Sequence, residues 1–240
     1  MWTLAAIACA PEPAPEEVDG LLHLFWTEFE EADSERIAEA AANLPREPQD
    51  GETSRLTEAE IDHIELGEVD PAEARGWFIL YRYECTLEDL EPILYSRHQD
   101  EQYPEADYDD YSREYTSSLD DYTSGASETL TWEVVIEGSY LNTAYTERLL
   151  GGLRRSDEVL MARTWLPAPA EFEEGSDWSW TQDYQVEVWL EDGAELVHLY
   201  GIWRELDVGL TTENDGLVNT IIDGMRDWDD RTAELCGSTR

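Results

Sequence analysis

Apolar residues recur along this chain with two different periods, and the change falls near Gly76. Before it, Val18, Leu21, Leu22, Phe25 and Phe29 repeat at the spacing of one helical face. Asp33 or Ser34 can cap a second helix that buries Ile37, Ala40, Ala41 and Leu44. Residues 45–55, "PREPQDGETSR", read as loop. Thr57 with Glu60 forms a capping box for a short helix whose inner side is Ile61 and Ile64. After Gly76 the run "WFILYRYEC", 77–85, is dense in aromatic and β-branched residues and predicts a strand. "LEDLEPILYSRH" returns to helical spacing through Leu87, Leu90, Ile93 and Leu94. Pro92 has no N–H to donate, so that helix is expected to start late, near Asp89. Residues 99–128, rich in Asp, Glu, Tyr and Ser with little period, read as a long acidic loop or a short irregular helix.

The second half alternates. Leu130, Trp132, Val134 and Ile136 stand against Thr131, Glu133 and Glu137, with Val135 the exception on the polar side. From residue 178, Trp178, Trp180, Tyr184, Val186, Val188 and Leu190 hold one face. Ser179, Thr181, Asp183, Gln185 and Glu187 hold the other. Asp192-Gly193 predicts a tight hairpin into a return strand over 196–206. Two further strands fit 140–150 and 158–166. One polar and one apolar face predicts an antiparallel sheet with a single covered side. Leu217, Ile221, Met225 and Trp228 then recur at helical spacing, and a helix from about Asp215 to Leu235 is expected to supply the cover. The predicted class is α+β: N-terminal helices, then a mainly antiparallel sheet covered by a long C-terminal helix. Residues 1–17 are expected to be a signal remnant with a lipidation site and tether, and 18–75 an N-terminal helical segment. Residues 76–240 form the sheet with its C-terminal helix, in one domain with 18–75. The order strand, helix, antiparallel strands, terminal helix over 76–236 is similar to the helix-grip fold of START-like lipid-binding domains. That resemblance implies an apolar cavity between sheet and terminal helix.

Charge changes the picture of partners. The 240 residues carry 57 Asp plus Glu against 15 Lys plus Arg, a formal net charge of −42. Every basic residue is Arg. Such a surface repels nucleic acid phosphates and anionic lipid headgroups and attracts cations. Its self-repulsion is greatest at low salt, which suggests adaptation to a saline medium; a GC-rich genome that encodes Arg in place of Lys is the competing reading. The ten Trp and twelve Tyr argue for a packed core rather than disorder.

The N-terminus raises the question of an anchor. Ala6-Ile7-Ala8-Cys9 resembles the lipobox of bacterial lipoproteins, and Pro11, Pro13 and Pro15 alternating with Glu12, Glu16 and Glu17 make an extended tether after it. The resemblance implies lipidation at Cys9 and an envelope protein facing outside the cytoplasm. Only eight residues precede Cys9 and none is basic, unlike a full secretory signal. If Cys9 carries lipid, Cys85 and Cys236 remain as an even pair, which in an exported protein suggests a disulfide. The alternative address is the cytoplasm of a high-salt organism.

No nucleophile elbow, zinc helix, P-loop or dinucleotide fingerprint is present. His198 with Asp183 or Glu187 offers a general base with an orienting carboxylate; a solvated sheet face with cross-strand ion pairs explains the same residues. Asp107, Asp109 and Asp110 offer hard oxygens to Ca²⁺, though without an EF-hand pattern. Trp180, Tyr184 and Trp203 are the candidate wall of an apolar ligand cavity; a filled aromatic core is the competing reading. The expected function is a lipoprotein that binds an apolar small molecule or lipid. The alternatives are a structural or protein-interaction lipoprotein with a filled core, and a hydrolase-like enzyme without a recognisable motif.

Overall fold

The computed structural model describes residues 13–238 except 31–32, 65, 105–107, 141–142, 157 and 212. Cys9 and its lipobox-like run therefore lie outside the described residues, as does Asp107. The elements in order are α1 (Val18–Thr27), α2 (Ser34–Ala42), β1 (Gln49–Thr53), α3 (Glu58–Ile61), β2 (Arg75–Tyr83), α4 (Leu87–Leu94), α5 (Gln99–Gln102), β3 (Tyr108–Tyr115) and α6 (Leu119–Thr123). They continue with β4 (Thr129–Tyr140), β5 (Thr143–Arg155), β6 (Val159–Trp165), β7 (Glu171–Phe172), β8 (Ser179–Asp192), β9 (Glu195–Asp207) and α7 (Asp215–Ser238). The strands form one antiparallel sheet in the order β1-β2-β9-β8-β6-β5-β4-β3, with β7 paired to β5. The fold is α+β, mainly antiparallel, with helices ahead of the sheet and a long helix after it.

Three expectations from periodicity are corrected. Residues 49–53 are not loop but the edge strand β1, whose alternation is hidden because most of its residues are exposed. The segment 99–128 contains β3, the opposite edge strand, with α5 before it and α6 after it. Its Asp and Glu face water, and Tyr111 and Arg113 face inward, so its inner face is not an apolar stripe. Helix α4 begins at Leu87 rather than Asp89, capped by the Thr86 hydroxyl, and carries Pro92 inside it. The N–H that proline lacks would have bonded Glu88, which is exposed, so water can serve that carbonyl.

The larger correction concerns the cover. The sheet is covered on both faces. Val186, Val188, Val197, Leu199, Tyr184 and Trp203 point to an outer face, where α1 and α2 bury Leu21, Leu22, Phe25, Trp26, Ile37 and Ala40 against them. Helix and sheet approach closely at Gly201, where a Cβ would come within 2.5 Å of a Leu22 methyl. Arg163 of β6, 1% exposed, reaches beneath α1 and donates to the Trp26 carbonyl at 3.1 Å, to His63 at 2.7 Å and to Glu30 at 2.6 Å. The long helix α7 lies instead on the inner face. Its stripe of Leu217, Ile221 and Met225 packs on Trp77, Ile79, Ile202 and Leu206. Its far end is held by Cys236, placed as a disulfide pair with Cys85 across a Cα separation of 5.6 Å. Tyr81, Tyr103 and Gln102 add hydrogen bonds to Asp230, Thr232 and Arg231 of the same helix.

Candidate functional site

The polar face of β8 is drawn inward at Asp183, which is fully buried, and at Gln185 and Glu187, which are partly covered. It faces α7 and α4 across a cavity of about 300 Å³, to which β3, β4, β5, β6, β8 and β9 contribute side chains. A β-bulge between Trp180 and Gln182 decides what enters it. The extra residue flips the parity of the strand. Trp180 therefore joins Asp183, Gln185 and Glu187 at the cavity, while Tyr184 stays on the outer face. Tyr184 and Trp203 are fully buried against Trp26, with ring centroids 5.5 and 6.1 Å from it. Of the three aromatic residues singled out from the sequence, only Trp180 reaches the cavity. The other two are packed core.

Charge inside the cavity is organised in pairs. Asp183 accepts from Arg204 Nε at 2.9 Å, and the Arg204 guanidinium lies 4.4 Å above the Trp180 ring. Burial works to lower the Arg204 pKa, but Asp183, Tyr200 and Glu147 outweigh it and hold the guanidinium firmly charged. Gln185 accepts a hydrogen bond from the Tyr200 hydroxyl at 2.7 Å. Arg113 is turned toward α4 and α5, where it donates to Gln99 at 2.8 Å and covers the Trp132 ring at 4.6 Å. His198 is completely buried and bonds Asp229 of α7 through Nδ1 at 2.7 Å. Its Nε2 stands 3.3 Å from Glu187, close enough for an ion pair but without hydrogen-bond alignment. Trp189 stacks flat on the imidazole at 4.4 Å. Burial alone would lower the His198 pKa. Asp229 and Glu187 reverse that and raise it, so the ring is a buried imidazolium between two carboxylates.

Glu147 is different. It lines the cavity from β5, is 5% exposed, and its Oε2 has no hydrogen-bond partner among the described residues. Burial, reinforced by the Asp183 charge and opposed by Arg204, pushes its pKa up to about 8. Tyr108 and Tyr145 line the same cavity, and the Glu147 charge helps hold their hydroxyls above the usual tyrosine range, behind the larger effect of burial. Sequence reading passed over Glu147 because it lies in "TERLL", a stretch without motif. The residue opposite it, Ile136, was already assigned to the apolar face of its strand, and cross-strand partners share a face. Asp229 was missed too, although it continues the α7 stripe one turn past Met225. An acid on an otherwise apolar stripe was the available signal.

A second space of about 250 Å³ adjoins the first under α7. Ile202, Leu206, Leu217, Ile221 and Met225 give it apolar walls, and Tyr200, Arg204 and Trp228 border both spaces.

The other candidates lie apart. Asp109 and Asp110 are exposed on the edge strand β3. Among the described residues no three His, Cys, Asp or Glu side chains converge as a metal site. On the outer side, Ser54, His23 and Glu60 line up at 3.0 and 2.6 Å, the spacing of a nucleophile, base and orienting acid. The chemistry differs. The Asp19 carboxylate lies 2.8 Å from the Ser54 hydroxyl and also accepts the Ser54 N–H and the Thr53 hydroxyl. The single hydroxyl proton is committed to the stronger acceptor, and the array ties α1 to β1 and α3. Among the described residues no helix is long and apolar enough to cross a membrane.

No protein-family model matches the sequence, and no curated protein matches it either. Solved structures do. The chain is similar to a START superfamily protein from Mycobacterium smegmatis, with 8% identity over 69% of this chain and 99% of that one and a TM-score of 0.44. It is similar to the lipid transfer and protein localization domain of human StarD13, with 11% identity over 70% and 78% of the two chains and a TM-score of 0.40. It is also similar to a STAR-related lipid transfer protein from Xanthomonas axonopodis, with 10% identity over 56% and 71% and a TM-score of 0.36.

Proposed function

We propose that this protein is a binding domain that encloses one small amphipathic molecule between the inner face of its sheet and helix α7. The observation that carries this reading is the pair of adjoining spaces. One has polar groups set among aromatic rings, the other has aliphatic walls, and Tyr200, Arg204 and Trp228 border both. A concave apolar site with a few convergent polar groups is the usual form of a small-molecule site. The size sets a limit. At the roughly 30 Å³ that a water takes in the liquid, about 300 Å³ and the adjoining 250 Å³ together hold on the order of twenty non-hydrogen atoms. That suits a single short chain with a polar end better than a two-chain lipid. Native mass spectrometry of protein purified from its own host tests the reading. A bound mass is expected, and it should vanish in Ala162→Phe, which fills the cavity from β6. A purely unliganded mass in the native protein under gentle conditions overturns it.

Anchoring through Cys9 is the second part of the proposal. It rests on the Ala6–Cys9 run, on the Pro/Glu tether and on the Cys85–Cys236 pairing, which suits an oxidising compartment outside the cytoplasm. The mass of the mature N-terminus from membrane and soluble fractions tests it. An acylated Cys9 is expected, and an unmodified Cys9 in the soluble fraction refutes it.

A further inference from the structure

The cavity and the buried groups beside it hold more acid than their own bases neutralise. Asp183 is matched by Arg204 and Asp229 by His198, with Glu187 on the far side of the same imidazolium. Arg113 is spent on the Leu94 carbonyl, Gln99 and the Trp132 ring. Glu147 has no such partner among the described residues, and its Oε2 is a buried orphan on a side chain that lines the space. A buried polar atom left unbonded carries a free-energy penalty, and native structures keep very few of them. The surroundings say what would relieve it. Tyr108 and Tyr145 line the cavity with the carboxyl, and Trp180 lies 5.9 Å from the Tyr145 ring. Aromatic faces with a carboxylate among them recognise a soft, poorly hydrated cation. A hard metal ion asks for six or more oxygens, which these rings do not offer. The net charge of −42 raises the local concentration of cations and opposes anions.

Resting on the binding-domain reading above, we infer that the polar end of the ligand is an organic ammonium group and that Glu147 is its counter-charge. The ammonium sits beside Tyr108 and Tyr145, since Trp180 already carries the Arg204 guanidinium, and pairs with the Glu147 carboxylate. The short apolar part of the ligand extends past Tyr200 and Trp228 under α7. Neither Glu187 nor Asp183 serves as well, because each already faces a cation of the protein itself.

Three six-carbon probes of different charge test the inference: hexyltrimethylammonium, 1-hexanol and hexyl sulfate, each titrated against the wild-type protein by tryptophan fluorescence and calorimetry. The cation is expected to bind most tightly. Glu147→Gln is expected to weaken it on the order of ten- to a hundredfold, the worth of a charge-assisted contact, while leaving hexanol unchanged. Glutamine keeps an N–H donor, so a ligand that merely accepted a hydrogen bond from a protonated Glu147 would survive the substitution. Unchanged hexanol binding also reports that the variant is folded. Tyr145→Leu should weaken the cation and spare hexanol in the same way. If hexanol or hexyl sulfate binds as well as the cation, or if Glu147→Gln leaves the cation unaffected, the ammonium assignment is overturned and the binding-domain reading stands. If none of the three binds, both fall.

Discussion

Replacing Glu147 by Gln should change how stability depends on pH. In the folded protein burial pushes the Glu147 carboxyl up to about 8, against 4.5 ordinarily. The folded state therefore holds its proton more tightly than the unfolded chain does. The stabilisation is fully present below about pH 4.5, declines through the interval, and is gone above about pH 8. At 1.36 kcal/mol per unit the loss totals about 5 kcal/mol. The groups facing Glu147 are Asp183 and Arg204 on β8 and β9, Tyr108 on β3 and Tyr145 on its own strand. All of these remain in the variant. His198 also loses a favourable proton as pH rises, since its pKa is raised, but it does so in both proteins and cancels in the difference. Urea unfolding at fixed salt from pH 5 to pH 9 is the assay. Near pH 5 the variant should lie close to wild type, because a neutral amide replaces a neutral carboxyl. Near pH 9 it should be more stable by up to about 5 kcal/mol. Parallel curves across the range would falsify the claim that Glu147 is buried without a compensating partner.

Three further outcomes follow from other parts of the molecule. Gly201→Ala places a methyl 2.5 Å from Leu22 and should destabilise the protein by about 1–3 kcal/mol by forcing α1 off the sheet; denaturant unfolding without loss refutes the close approach. Reducing Cys85–Cys236, which spans 151 residues, should lower stability by about 5 kcal/mol on the chain-entropy model. At about 2–4 °C per kcal/mol that is a Tm fall of roughly 10–20 °C, and an unchanged Tm after verified reduction counts against the pairing. Raising NaCl from about 0.01 to 1 M, which shortens the Debye length from ~30 to ~3 Å, should raise Tm because the net charge of −42 repels itself; a flat response contradicts salt adaptation.

The sequence by itself determined most of the elements. Helical spacing in 18–44 and 215–235 and alternation in 130–137 and 178–206 are local consequences of burying one side of an element, and each is found where the pattern put it. Edge strands escaped because β1 and β3 expose much of their surface, so no apolar period marks them. What tertiary structure decided was the use of each face. A polar period-2 face reads alike whether it meets solvent or an enclosed cavity, and the difference here was set by which helix landed on it. Helices α1 and α2 took the apolar outer face, so α7 closed over Asp183, Gln185 and Glu187 and made them interior. The bulge at Trp180–Gln182 then moved Trp180 inward and left Tyr184 in the core, a parity change that depends on pairing with β9. Glu147 acquired its character the same way. In sequence it is one of 57 acids. Only the sheet's closure over it, with Arg204 already bound to Asp183, left it buried and unmatched.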